Sequence, residues 1–319
     1  MRLSHLSGVC LMGIALYAHA DDDWVLLRKV AVAARQQPLS GTYLHQMNSS
    51  LETFRLVRSG SADNIQEKRS SLDGPSREII RKGMELTCYA PDPRSLSAAK
   101  ISAMRLFPAL LPDDISNISQ SYTVRHVGKD RVAQRDCNWL ELRPKDSKRY
   151  VMRLCVEPVS LLPLKVVTQN ATGDAVEQFT FTEVELQGPK DKGVFRSQYK
   201  QSYMLRSASA PQMTIDADAA GEVTGMPPGF KLLRAVQRSL PGQLDRQVRH
   251  MVFSDGLVML SLFIEPQAPD ARGDRTVNLH GAVNMATAEQ GDYLVTLVGD
   301  LPEPTMLAMI KNLKIALKP

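Results

Sequence analysis

From Ser40 to about Gln187 the chain is a close succession of short segments with strand-like patterning. "GTYLHQM", "ETFRLVR", "IQEKRSSL", "REIIRKG" and "MELTCYA" come first. "YTVRHVG", "RDCNWLELR", "RYVMRLCVE", "PLKVVTQN" and "AVEQFTFTEVEL" follow. The turns between them are too short for helical crossovers, so neighbours must pair antiparallel, which predicts one large sheet. The two groups are separated by "RSLSAAKISAMRLFPALLP" (94–112), which is apolar but closed by Pro108 and Pro112. It reads as a helical or irregular excursion lying over the sheet. A curved sheet under a movable cover makes a concave apolar site, whereas a fixed cover completes a core, and composition does not separate the two.

One hairpin can be read in more detail. "CNWLELRPKDSKRYVMRLC" is almost symmetric about Asp146. Pairing by that symmetry sets Cys137 opposite Cys155, Leu140 opposite Met152 and Leu142 opposite Tyr150, with Trp139 beside Arg153 as a cation–π pair. Directly opposed strand residues approach to about 4.5–5.5 Å at Cα, which a disulfide accepts, so the register predicts a Cys137–Cys155 bridge. Cys88 reads as a buried core thiol.

The N-terminus points to export. Met1–Ala20 has Arg2, an apolar run from Val9 to Ala18, and small residues at Ala18 and Ala20, the pattern of a secretory signal peptide cleaved after Ala20. Loss of Arg2, with no acid removed, lowers the net charge of +5 by one. That mild basicity is far from a nucleic-acid signature. No later run approaches about 18 apolar residues, so the mature chain is expected to be soluble.

The mature length suggests two domains. Asp21–Asp23 can cap a helix carrying Trp24, Leu27, Val30, Ala31 and Ala34, which should stop before Pro38. The predicted division is a signal peptide at 1–20, a first domain at 21–196, a linker at 197–222 rich in Ser, Ala, Gln and Asp, and a smaller domain at 223–319. The last part opens at "GMPPGFKLL" and holds two hairpin-like pairs. It closes on a helix whose apolar face is Met306, Ile310, Leu313 and Leu317, with Lys311, Lys314 and Lys318 towards its end.

The signatures of chemistry do not occur. There is no G-x-S-x-G, G-x-G-x-x-G, Walker loop, H-E-x-x-H or C-x-x-C. His45, His126, His250 and His280 lack metal-ligand spacing. Asp113-Asp114 reads as a solvated loop or cap, and Arg125, Lys129, Arg131 and Arg135 as a solvated strand face. Ser254-Asp255-Gly256, set between the apolar strands of "HMVFSDGLVMLSLFIEP", is a hairpin turn signal. The expectation is a binding protein with no catalytic residues, no metal and no cofactor.

Several stretches resemble the RseB/MucB family of periplasmic regulators of the sigma-E envelope stress response. They are "SGTYLHQ", "ETFRLVR", "EKRSSLDGPSREIIRKG", "TCYAPD", "VAQRDCNWLELRPKDSKRYVMRL", "AVEQFTFTEVEL", "MPPGF", "HMVFSDGLVMLSLFIEP" and "YLVTLVGDLPEPTMLAMIKNL". Leu72-Asp73-Gly74-Pro75 with Arg77-Glu78, the Pro-Pro-Gly-Phe run and Phe253-Ser254-Asp255-Gly256-Leu257 are the most specific. The resemblance implies an α+β protein: an N-terminal half-open antiparallel β-barrel of the LolA/LolB kind with covering helices, and a smaller C-terminal α/β domain. It implies a non-enzymatic periplasmic negative regulator. Such a protein binds the periplasmic segment of a membrane anti-sigma factor (of the RseA or MucA kind) and shields it from site-1 proteolysis. It lets go on sensing lipopolysaccharide or the acyl chains of mislocalised lipoprotein. A lipoprotein or lipid carrier is the alternative, and self-association stays open. The hairpin side chains Phe253, Leu257, Met259 and Phe263 are the candidate partner contacts.

Overall fold

The computed structural model describes residues 15–61, 64–96, 105–112, 114–206, 221–240, 243–266 and 275–316. Helix α1 (Ala15–Gln36) leads into β1 (Leu39–Met47), β2 (Ser50–Ser59), β3 (Gln66–Ser71), β4 (Glu78–Lys82) and β5 (Glu85–Ala90). After the excursion, a single helical turn, α2 (Ile118–Ser121), precedes β6 (Tyr122–Val132), β7 (Arg135–Pro144), β8 (Val151–Val156), β9 (Pro163–Gln169) and β10 (Ala175–Glu185). The next strand is β11 (Gln201–Arg206), and together they form one eleven-stranded sheet in the order β11-β5-β4-β3-β2-β1-β10-β9-β8-β7-β6. Two antiparallel meanders are therefore stitched along β1–β10, where Tyr43 faces Phe181 and His45 faces Phe179. The sheet curls without closing, since its edges β6 and β11 are not bonded to each other. It is a half-open barrel.

Burial decides what fills it. The α1 residues Leu27, Val30, Ala31 and Ala34 recur at helical spacing and are at most 2% exposed. The helix ends before Pro38, as a residue preceding proline disfavours the helical region. It begins earlier than expected, because the stretch from Ala15 to Ala20 carries it back through Asp21–Asp23, which therefore lie within it instead of capping it. Residues 1–14 of the predicted signal segment lie outside the described residues.

The second unit is a six-stranded antiparallel sheet, β13-β14-β15-β18-β17-β16, from β13 (Lys231–Leu240), β14 (Gln243–Ser254), β15 (Met259–Pro266), β16 (Arg275–His280), β17 (Val283–Gln290) and β18 (Tyr293–Gly299). It exceeds the two hairpins expected. Helix α3 (Glu303–Asn312) packs across it through Met306, Met309 and Ile310. The helix is shorter than predicted: Lys314–Ala316 is strand β19, paired with β12 (Glu222–Thr224), and Leu317 and Lys318 lie outside the described residues. Within the predicted linker, β11 adds residues 201–206 to the first sheet through Tyr203 opposite Cys88.

The Cys137–Cys155 disulfide is present, with the Cα atoms 5.3 Å apart, and Cys88 is a buried thiol. The hairpin register differs from the expected one by two residues: Trp139 faces Cys155, Leu140 faces Leu154 and Leu142 faces Met152. The centre is Ser147 instead of Asp146, whose carboxylate folds inward to accept the Lys148 N–H at 3.1 Å and the Arg149 guanidinium. A shift of two preserves strand parity, so Leu140, Leu142, Met152 and Leu154 still share the buried face. Arg153 lies 5.1 Å from the Trp139 ring centre, as expected.

Candidate functional site

The concave side of the barrel is where a greasy ligand would sit, and it is filled. Phe107 of the excursion stacks on Phe179 (5.4 Å between ring centres) and meets Phe181 (4.9 Å) and Tyr43 (5.1 Å). Leu111, Ile115 and Ile118 continue the cover into the same core as Leu27, Val30, Leu140, Leu142 and Leu154. Burial is deep enough to push the Tyr43 hydroxyl up to about 12. Of the two readings left open by the sequence, the cover completes a core. A shallow depression of about 440 Å³ lies elsewhere, on the barrel rim beside Arg55, Arg135 and Glu183, and is mostly polar.

Beneath the cover lies a charged cluster. The Glu67 carboxylate takes Arg58 Nε at 2.5 Å on one oxygen and Arg69 on the other, and all three residues are at most 2% exposed. Burial alone would raise the Glu67 carboxyl, but the two guanidiniums outweigh it and hold it below the usual range. Each arginine also reaches a backbone carbonyl. Arg58 Nη1 donates to Ala34 O in the last turns of α1 (2.8 Å), where a cation suits the helix dipole, and Arg69 Nη2 donates to Phe107 O (2.8 Å). Arg35 donates to Leu111 O. Helix and cover are thus tied down by charge-assisted hydrogen bonds as well as apolar packing.

The second unit docks on this assembly through the motifs that looked like plain turns. The Ser254-Asp255-Gly256 turn forms as expected: Asp255 Oδ1 accepts the Leu257 and Val258 N–H groups, and Ser254 Oγ accepts that of Gly256. Yet Asp255 is 1% exposed, and its other oxygen pairs with Arg149 Nε of the first unit at 2.7 Å. Arg149 also donates to Pro228 O (2.6 Å) and lies 5.2 Å from the Phe230 ring centre, so "PPGF" and "SDG" converge on one guanidinium. Ser121 Oγ donates to the same Pro228 carbonyl at 3.3 Å. Gly229 (φ +91°) leaves room for that approach, since a Cβ there would lie 2.3 Å from Ser121 Oγ.

Further contacts extend the joint. Arg105 Nη2 bridges Asp300 of the second unit (2.8 Å) and Glu177 of the barrel (3.3 Å), and Glu177 in turn bonds His45 Nε2 at 2.8 Å. Burial pushes the Asp300 carboxyl up, opposed by Arg105 and reinforced by Glu177. Lys231 Nζ donates to Asn117 Oδ1 (2.9 Å), and Asn284 Nδ2 to the Tyr150 hydroxyl (3.0 Å).

The four candidate contact residues separate by environment. Phe253 is buried in the second core, and Leu257 packs against the first core from across the joint. Met259 is 56% exposed. Phe263 is half-buried and stacks on His250 (4.4 Å) on the sheet face opposite the buried Leu260, Leu262 and Ile264. The basic strand stretch is a solvated face in part: Arg125 pairs with Glu141, which Arg143 and Arg153 also approach. Among the described residues no group of His, Cys, Asp and Glu could hold a metal ion, and no helix is long and apolar enough to cross a membrane. The joint residues Arg105, Arg149, Asp255 and Asp300 were not legible as a site. The one hint was the specificity of "PPGF" and "FSDGL", which turn geometry alone does not require.

The comparisons cover both units. The family model for the MucB/RseB N-terminal domain matches residues 22–203, and that for the MucB/RseB C-terminal domain matches residues 217–314. The chain is 29% identical to the sigma factor AlgU regulatory protein MucB of Pseudomonas aeruginosa, across 92% of this chain and 90% of that one. It is 25% identical to the sigma-E factor regulatory protein RseB of Escherichia coli K12, across 88% and 92%. Among solved structures it is similar to MucB in the Pseudomonas aeruginosa MucA/MucB complex, with a TM-score of 0.74, 26% identity and 93% of this chain covered against 100% of that one. A structure of MucB bound to MucA(peri) matches with a TM-score of 0.71, 25% identity and the same coverage.

Proposed function

Since the chain belongs to the MucB/RseB family, we propose that it is a periplasmic negative regulator of an envelope-stress sigma factor, acting by binding and not by catalysis. It holds the periplasmic segment of a membrane anti-sigma factor, shields that segment from site-1 proteolysis, and lets go when lipopolysaccharide or lipoprotein acyl chains arrive. The supporting observation is the extent of the likeness to a relative solved with its MucA partner, which covers 93% of this chain and so both units. Export follows from the signal segment, with cleavage after Ala20. The units act as two domains, the first running from residue 21 through β11 and the second from β12 onwards. Of the four hairpin side chains, Met259 and Phe263 are the ones offered to the partner, because Phe253 and Leu257 are committed to packing.

The test is fluorescence anisotropy of a labelled periplasmic segment of the cognate anti-sigma factor, titrated with the full mature chain. Saturable binding with a Kd of about 1 µM or tighter is expected, together with slowed cleavage of the segment by the site-1 protease. Absence of binding, or binding that leaves cleavage unchanged, overturns the reading.

A further inference from the structure

On the outward side of the barrel sheet, near its β6 edge, the strands gather more cations than their own packing uses. Directly paired residues share a face, so the rows Arg125–Glu141–Arg153 and Trp139–Cys155–Lys165 across β6 to β9 lie on one side. Arg143, two residues along β7 from Glu141, points the same way. The concavity is on the other side, filled by Leu140, Leu142 and Leu154. Glu141 sits among three guanidiniums. Its Oε1 accepts Arg125 Nε (3.0 Å) and Nη2 (2.7 Å) and Arg143 Nε (2.8 Å), while Arg153 Nε lies 3.7 Å from Oε2, beyond hydrogen-bond reach. Burial would raise the Glu141 carboxyl, but the bonds from Arg143 and Arg125 hold it below the usual range, so it stays an anion. Three cations against that one anion leave two positive charges over. Lys165 is matched by Asp130, which accepts the Trp139 Nε1–H at 3.3 Å. Arg153 lies over the Trp139 ring with its Nε buried and lacking an acceptor. More than half of the Arg125 and Arg143 side chains is in solvent.

The strands end beside an apolar projection. The turn between β8 and β9 leaves directly after Val156, which pairs with Asn138, the neighbour of Trp139. It holds Val159 out at 88% exposure, and Glu157 Oε2 fixes it there by accepting the Val159 and Ser160 N–H groups. Surface charges are ordinarily interspersed in sign, and a field of one sign draws an opposite surface towards it. This one spreads over an open sheet face with an indole in its midst and no cleft for a small molecule, which suits an extended anionic surface. We propose that the outward β6–β9 face is a docking surface for an anionic phospholipid bilayer, with Arg125, Arg143, Arg153 and Lys165 facing the lipid phosphates and Trp139 and Val159 at the headgroup level. Phosphate oxygens supply the acceptors that the outer guanidinium nitrogens lack within the protein. Basic side chains near such a surface, flanked by amphipathic and apolar ones, are the elements of peripheral membrane binding. The proposal goes beyond the regulatory reading and does not depend on it, because Met259 and Phe263 lie in the other unit.

The experiment is co-sedimentation of the full mature chain, without any partner, with sucrose-loaded vesicles. These are phosphatidylcholine alone or phosphatidylcholine with roughly 30 mol% phosphatidylglycerol. The wild type should pellet with the anionic vesicles only, and salt at about 0.5 M should release it. Arg143→Gln combined with Arg153→Gln leaves Arg125 paired with Glu141 and should weaken partitioning about 25-fold, at about fivefold for each cation removed. Lys82→Gln combined with Lys314→Gln removes the same charge from exposed positions outside this face and should weaken it less than about twofold. Equal losses in the two double variants would assign the binding to net charge and overturn the proposal, as would a wild type indifferent to phosphatidylglycerol. Binding of polyglutamate or inorganic phosphate without binding of vesicles would overturn it too, giving the face to an acidic protein or a free anion. If circular dichroism finds the Arg143, Arg153 variant unfolded, Arg143→Gln alone decides. That side chain is half in solvent, and its loss should still weaken partitioning about fivefold, so no change counts against the docking face. With no anti-sigma segment in the assay, failure here leaves the partner reading intact, and failed partner binding leaves this face intact.

Discussion

Removing the charge from Glu67 tests whether the buried cluster holds the barrel together. In Glu67→Gln the side chain keeps its size, but Arg58 and Arg69, 0% and 2% exposed, lose the anion between them. Two like charges then remain in a region that water does not reach. Breaking a buried pair by removing one partner costs about 3–5 kcal/mol. The carbonyls of Ala34 and Phe107 still accept from the two guanidiniums, which places the expectation near the lower end, about 3 kcal/mol. In a unit of this size that corresponds to a fall in Tm of roughly 6–12 °C. The assay is urea unfolding followed by tryptophan fluorescence. Both tryptophans, Trp24 and Trp139, lie in the first unit, so the signal reports the barrel alone. An Arg58→Met, Glu67→Leu, Arg69→Met triple variant should recover most of the loss, since well-packed apolar groups replace buried ions at little cost. A loss below about 1 kcal/mol in the single variant would place the cluster among weakly coupled surface charges and refute the reasoning.

Three further outcomes are expected. Replacing both Cys137 and Cys155 by Ser should lower stability by at most about 3 kcal/mol, because the hairpin already restricts the 18-residue separation; a loss well beyond that in denaturant titration would mean the bond holds more than its own hairpin. Gly229→Ala should cost about 1–2 kcal/mol from its positive φ and loosen the joint at Ser121, seen as a larger radius in small-angle X-ray scattering; an unchanged radius would show that the joint does not depend on that approach. On acidification, Glu67 has a depressed pKa in the folded chain, so its contribution is present above the ordinary glutamate value of 4.5 and is lost as pH falls through the depressed one. Urea midpoints taken from neutral to acid pH should fall in the wild type and fall less steeply in Glu67→Gln, and equal slopes would exclude Glu67 as the source.

The strands were legible because alternation is a local property, and so was the shared apolar face of the Leu140–Met152 hairpin. The register was missed by two residues because a near-palindrome fixes parity but not the residue at the tip, which Asp146 decided through its own turn bonds. The end of the last helix was missed because Lys314-Ile315-Ala316 is too short to show a period, and its strand state depends on pairing with Glu222–Thr224. The SDG turn was read correctly as a turn, and its second role was invisible. Burying Asp255 requires a cation, and that cation is Arg149, 106 residues away. Likewise, Arg58, Glu67 and Arg69 read as ordinary polar positions of alternating strands. Only the packing of α1 and Phe107 over them turns those positions into interior ones.

The pairing of β12 with β19, a two-stranded sheet of its own, sets Glu222 beside Ala316, so the first and last strands of the second unit lie side by side. A module whose two ends meet is a cassette. It can be excised, carried on a loop of another protein, or given new termini by joining the old ones, with no strand having to cross its core. What ties this cassette to its present neighbour is the set of contacts at Arg149, Arg105, Lys231, Asn284 and Leu257. Redrawing those few positions would be enough to seat it on a different scaffold.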